Sequence, residues 1–318
     1  MKKFQKDARV CFIGDSITAN GTWIAHIFDY YRKNCPEMRV KLFNTGISGG
    51  YAVCALKHLE KNTLVYEPTA AVIMLGMNDI NQGFYGREET PEIIEGKRCS
   101  IESYQAKMKE LADILYGKGI TLTFCTPTPY DGISEVEIKN NGVMPVLEEC
   151  AEFVKKLAKE YQADVVDFNS KIKELIANTQ QNKKSPIIGP DRIHPTNDIG
   201  HSVLARIFLR SQGFDDVEEP TPESILSGSV ILHKSEKNQK RHKTETILRN
   251  IWNTEWILLN SIYEKSDEEK IEFAKKYPQT NSDVPAWYYS MAPDYIKYKK
   301  NQKELIQEVI EKTDRMYQ

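Results

Sequence analysis

The sequence predicts a doubly wound α/β fold: a parallel sheet of five strands covered by helices on both faces, followed by a helical C-terminal extension. Three observations carry this prediction. Over the first 210 residues, short apolar, β-branched runs alternate with longer stretches whose apolar residues recur at helical spacing. The short runs are apolar throughout rather than at every second residue, as expected of strands buried on both faces. Beyond the acidic, proline-bearing stretch DDVEEPTPES (215–224), the strand pattern stops.

The strand runs are RVCFIG (9–14), VKLFNTG (40–46), AAVIMLG (70–76), ITLTFCTP (120–127) and ADVVDF (163–168). Between them, GTWIAHIFDYYRKNC (21–35) places Trp23, Ile24, Ile27, Phe28 and Tyr31 on one helical face. SIESYQAKMKELADILYGKG (100–119) does the same with Tyr104, Met108, Leu111 and Leu115, and ends on the stop signals Gly117 and Gly119. Helices are also expected over 144–162 and 197–213, with a loop between the fifth strand and the last of these. An α/β domain therefore spans 1–214 and an extension 215–318, its role a lid, packing or dimerisation. In the extension, 243–266 reads as a strong amphipathic helix. Ser266 with Glu269 reads as a capping box for a helix stopped near Pro278, and a last helix is expected from Pro293 to Met316.

Bulk properties narrow the function classes. A formal net charge of −2, with no dense Lys/Arg cluster in the first 200 residues, gives nucleic acid no footprint. The short basic stretch KNQKRHK (237–243) reads as a solvated helix start or loop. Six cysteines show no CxxC pair and no Cys/His spacing of a zinc site, so they read as reduced thiols, and no metal is expected. No window approaches the apolar length of a membrane helix, and the N-terminus lacks the apolar core of a signal peptide. The expected compartment is cytoplasmic, a secreted form with its signal removed being the alternative.

The chemistry-bearing residues sit at strand ends, where ligands of such sheets bind. After Val10–Ile13, Gly14 lets the chain turn sharply, and Asp15, Ser16 and Thr18 follow at the carboxyl edge. Ser16 is a candidate nucleophile, and a helix cap is the plainer reading. NTGISGG (44–50) after the second strand offers backbone N–H donors, or an ordinary glycine turn. LGMND (75–79) after the third offers the Asn78 amide, or an Asx turn. DRIHPT (191–196) places Asp191 three residues before His194, a spacing that lets the carboxylate reach one ring nitrogen while the other faces outward. Nucleophile, base, base-orienter and oxyanion donors are the parts of an acyl-transfer site.

GDSIT, GISGG, GMND and DRIHP resemble, in order, the four signature blocks of the SGNH (GDSL-type) hydrolases, across residues 9 to about 210. The resemblance implies a flavodoxin-like sheet and a serine esterase or related acyl hydrolase with no metal and no cofactor. It implies a catalytic Ser16, His194 and Asp191, and an oxyanion hole of Ser16, Gly49 and Asn78. Asp15, Phe84, Tyr85 and Tyr130 are candidate substrate contacts, the aromatics lying in the long loops 80–98 and 126–142 beside the site. Trp252, Trp256 and Trp287 of the extension read as packing, or as a lid or dimer surface. His26, His58 and His201 read as structural. The preferred function is removal of O-acetyl groups from a carbohydrate through an acyl-enzyme. A lysophospholipase or thioesterase of the same fold and a carbohydrate-binding pseudoenzyme are the alternatives. The expected partner is a small or oligosaccharide ester, with neither nucleic acid nor a membrane span, and a homo-oligomer through the extension is the further expectation.

Overall fold

The structure, a computed structural model, describes residues 1–180, 183–276 and 290–318. Five strands form one all-parallel sheet: β1 (Arg9–Gly14), β2 (Lys41–Asn44), β3 (Ala70–Met74), β4 (Thr121–Cys125) and β5 (Asp164–Val166). Their order is β2-β1-β3-β4-β5, so the chain steps outward from β1 to β2 and then returns to β3 on the other side. The crevice between the carboxyl ends of β1 and β3 is where such a reversal opens a ligand site.

Each strand is apolar throughout because both of its faces are covered. Val10 and Phe12 point to one side, where α2 (Thr22–Asn34), α6 (Phe168–Asn178) and α7 (Ile199–Ser211) pack; Trp23 meets Phe12 edge-on at 5.2 Å. Ile13, Ile73 and Phe124 point to the other, against α3 (Ala52–Lys57), α4 (Pro91–Gly117) and α5 (Met144–Glu160). A five-residue α1 (Ser16–Asn20) follows β1 directly.

All five strands fall within the expected runs. Three helical expectations are corrected. Residues 91–98, expected as loop, are the first turns of α4, because Thr90 accepts from the Ile93 N–H at 3.4 Å and Pro91 is preset for a first turn. That stretch has no apolar stripe, so periodicity misses it. The interval between β5 and residue 197, also expected as loop, contains α6, capped by Asp167 and burying Phe168, Ile172 and Ile176. The single last helix is broken: residues Ala292–Tyr298 (α11) and Gln302–Asp314 (α12) flank a tight turn at Lys299–Asn301.

The extension begins with α8 (Pro222–Ser227) and α9 (Glu236–Ile257), followed by α10 (Asp267–Lys276), whose capping box joins Ser266 and Glu269 as expected. The expected stop at Pro278 and Trp287 lie outside the described residues. Helix α9 starts seven residues earlier than its apolar pattern, at the Ser235 cap, and so absorbs the basic stretch 237–243. Arg241 within that stretch is not solvated but buried. Its guanidinium donates to the Leu42 carbonyl on the open edge of β2, to Glu245 at 2.7 Å and to Thr313 Oγ1 at 2.7 Å, and it stacks on Phe28. Glu245 in turn accepts from the Asn44 N–H at 3.3 Å. Around this pair, Trp252, Leu248 and Ile251 of α9 and Val309 of α12 close over Cys11, Phe43 and Tyr66. The same edge strand is thereby paired, covered and kept from other strands.

Removing one partner of a buried ion pair strands the other charge. Arg241→Met is expected to lower the unfolding free energy by about 3–5 kcal/mol, read as a reduced urea midpoint. Arg241→Met with Glu245→Leu should recover much of that loss.

Candidate active site

Gly14 ends β1 where no side chain fits: a Cβ there would stand 2.1 Å from Thr18 Oγ1 and 2.7 Å from the Met74 carbonyl. The chain therefore turns tightly, and Asp15 caps α1 by accepting the Ile17 N–H at 3.0 Å. Asp15 is buried, and its carboxyl is occupied with the helix start rather than exposed to a ligand. Burial pushes that carboxyl up to about 6, against the pull of the Ile17 N–H and of His194. Ser16 is left as the first helical residue, half-buried at the carboxyl edge of the sheet.

His194 reaches Ser16 from a loop 178 residues away: Nε2 lies 2.8 Å from Ser16 Oγ, and Nδ1 lies 2.6 Å from Asp191 Oδ2. The other Asp191 oxygen accepts the N–H groups of Ile193 and His194, both at 3.0 Å, so one carboxylate shapes the turn and orients the ring. Burial raises the Asp191 carboxyl, but these hydrogen bonds overcome it and hold the group at about 2. The same Asp191 contact lifts the His194 imidazole above its ordinary value, against the opposing effect of burial.

The loop itself is pinned by a residue the sequence reading missed. Arg192 adopts a φ of 66° and is buried; its Nη1 donates to the Asp131 carbonyl at 2.7 Å and its Nε to the Ile138 carbonyl at 2.6 Å. Nothing in a lone arginine between an aspartate and a histidine announces this, because its acceptors are main-chain carbonyls 54 and 61 residues away.

The second motif meets the first through the backbone, and the third meets the second through a side chain. Ile47 N–H donates to the Gly14 carbonyl at 3.0 Å, and Asn78 Nδ2 donates to the Gly50 carbonyl at 3.0 Å. Gly49 has a φ of 66°, with open space where a side chain would stand, and its carbonyl accepts from Trp256 Nε1 at 3.1 Å. Asp79 is buried behind Asn78, accepts the Ala52 N–H at 2.7 Å, and leaves its second oxygen without a partner. Burial, with Asp15 adding like charge, raises that carboxyl to about 7, the Ala52 N–H opposing.

Beside Ser16 lies a cleft of about 430 Å³, walled by Ala19, Asn20 and Ser48 on one side and by α9 on the other. From α9 come His242, Thr246, Arg249, Asn250 and Asn253, and Asn253 Oδ1 accepts the Ser48 N–H at 2.8 Å. The aromatic candidates stand elsewhere. Tyr130 is buried, its hydroxyl donating to the Lys139 carbonyl at 3.3 Å. Tyr85 lies under Lys97 of α4, and Phe84 packs on Gly96. His26, His58 and His201 are buried in the packing of their helices. The α9 wall was missed because its polar residues share a helix with a strong apolar face, which the pattern reads as packing.

A model of the GDSL-like lipase/acylhydrolase family matches residues 12–201, more than half of the chain. The chain belongs to that family. It is accordingly an SGNH-type carboxylic ester hydrolase, and no described helix is long and apolar enough to cross a membrane. An acetylxylan esterase of Geobacillus stearothermophilus is 26% identical over 231 residues, covering 67% of this chain and 97% of that one. The crystal structure of an acetylxylan esterase from that organism has a TM-score of 0.55 at 24% identity, over 69% of this chain and all of that one. Solved catalytic mutants of it replace a serine, an aspartate and a histidine by alanine. A gut microbial diltiazem-metabolizing enzyme shares the fold over the whole chain and 96% of its own, with a TM-score of 0.81 at 18% identity.

The raised Asp79 carboxyl binds more protons folded than unfolded, between the ordinary aspartate value of 3.8 and about 7. Folding stability contributed by this group is therefore present at low pH and lost as pH rises through that window. Asp79→Asn removes the titration, so its melting temperature relative to the native chain is expected to improve from pH 5 to pH 8 when both are followed by calorimetry.

Proposed function

We propose that this protein removes acetyl groups from a carbohydrate ester, with Ser16 as nucleophile, His194 as general base and acid, and Asp191 as the group that orients and charges the imidazole. The observation that carries the reading is the continuous chain Ser16 Oγ–His194 Nε2, 2.8 Å, and His194 Nδ1–Asp191 Oδ2, 2.6 Å. In this reading Ser16 Oγ bonds to the ester carbonyl carbon as its proton passes to His194 Nε2. The carbonyl oxygen takes negative charge and is met by the N–H groups of Ser16 and Gly49 and by the remaining amide hydrogen of Asn78. His194 returns the proton to the departing sugar oxygen. Water, deprotonated by His194, then attacks the acyl-serine, acetate leaves, and Ser16 recovers its proton.

A short acyl group is supported by the cleft wall. Among the described residues its apolar lining is Ala19 and Met291, and most of the rest is amide, hydroxyl or charge. Each buried methylene is worth about 0.8 kcal/mol only where apolar surface receives it, so a long chain gains little here. The acetylxylan esterase relative supports the same acyl group on a carbohydrate. The extension is read as a fixed wall of the cleft, packed on the catalytic domain of residues 1–214.

Five measurements test this. Turnover of p-nitrophenyl acetate should exceed that of the octanoate; the reverse order overturns the short-acyl reading. A fluorophosphonate should label the native chain and leave Ser16→Ala unlabelled. Asn78→Ala should lower kcat by roughly 10²–10³ if its amide serves the oxyanion. The rate should also fall in acid as His194 protonates, with a midpoint above the ordinary imidazole value, because Asp191 favours the charged ring. Asp191→Asn should move that midpoint to lower pH while lowering kcat, an outcome visible in the kcat/KM profile.

A further inference from the structure

The cleft contains a cation that the chemistry above does not use. Arg249 of α9 lines the cleft with Ser16, yet it is buried. Its Nη2 donates to Thr246 Oγ1 at 2.8 Å, which fixes the guanidinium, and its Nη1 is shut from solvent with no hydrogen-bond partner. The acid whose field reaches it, Glu245, is already engaged by Arg241 at 2.7 Å and by the Asn44 N–H. Burial lowers the Arg249 guanidinium to about 10, which still leaves it charged at neutral pH. The neighbouring His242 is pushed down to about 3 by burial and then by Arg249 and Lys234, so it is neutral. Among the described lining residues there is no carboxylate, and Arg249 carries the one full charge.

A buried, incompletely bonded guanidinium is costly, and a cleft that keeps one beside a nucleophile gains where a ligand supplies the counter-charge. Guanidinium geometry matches a carboxylate, which can take two parallel N–H donors. We propose that Arg249 selects esters whose alcohol part bears a carboxylate, so that the preferred substrates are O-acetylated acidic sugars. This rests on the acetyl-ester reading: with acetyl as the acyl group, the anion belongs to the sugar.

The test compares an O-acetylated methyl glucuronoside with the matching O-acetylated methyl glucoside, using the full chain at low salt. The native kcat/KM is expected to favour the acid by at least about tenfold, the range of a charged hydrogen bond. Arg249→Gln should bring that ratio to about one. Arg249→Lys, which keeps the charge but not the fork, should retain part of the preference even if the Gln variant folds poorly. Equal rates for the two sugars in the native chain, or a preference that survives in Arg249→Gln, overturns the proposal. Calorimetry with the unacetylated methyl glucuronoside and methyl glucoside on Ser16→Ala reads the same preference without turnover. If p-nitrophenyl acetate is not hydrolysed but the calorimetric preference stands, the acetyl-ester reading falls and the acid-binding role of Arg249 is upheld. If acetate is released but both sugars bind equally, only the Arg249 proposal falls.

Discussion

The structure turns on one steric constraint: β1 must leave the sheet at a residue with no side chain. Thr18 and the Met74 carbonyl close on the Gly14 Cα from two sides. Because β1 is paired to β2 on one edge and β3 on the other, its exit cannot drift. The turn therefore delivers Ser16 at the carboxyl edge with the precision of a buried strand rather than of a loop. The Gly14 carbonyl then anchors the next motif through Ile47, and Gly50 anchors the third through Asn78. Three motifs are thus linked in turn by one main-chain bond and one bond from the Asn78 side chain, and the histidine loop is braced separately by Arg192.

The extension is built into this edge. Helix α9 is locked at its start by Arg241 and Glu245 against β2 and near its end by Asn253 and Trp256 against the loop of Ser48 and Gly49. Between those anchors Thr246, Arg249 and Asn250 face the cleft, while Leu248, Ile251 and Trp252 pack against the sheet. A wall held by buried bonds at both ends positions its polar groups better than a mobile flap. The diltiazem-metabolizing enzyme shares the fold over the full chain, so this arrangement of sheet and extension is not confined to one sequence.

Much of this was legible from the residues. The five strands showed because burial on both faces forces an unbroken apolar run, and the Asp191–His194 contact showed because the two residues share one turn. What stayed hidden was set by contacts remote in sequence. Arg192 and Arg241 look like surface cations until main-chain carbonyls far along the chain accept from them. Helix α6 and the start of α4 depend on caps at Asp167 and Thr90 rather than on a long apolar stripe. The aromatics of the 80–98 loop drew attention by type, but packing on α4 claimed them, while the polar face of α9 supplied the cleft.

Electrostatics around His194 follow from two carboxylates treated in opposite ways. Asp191 accepts three hydrogen bonds and is held at about 2, so it stays charged wherever the protein is folded and active. Asp15 is buried, and burial outweighs the Ile17 N–H and His194 to raise its carboxyl to about 6. At neutral pH both are negative, and both favour the charged form of the imidazole. Protonation of Asp15 withdraws its share of that support for the charged ring. Environment, not residue type, thus divides the labour between two aspartates beside one histidine.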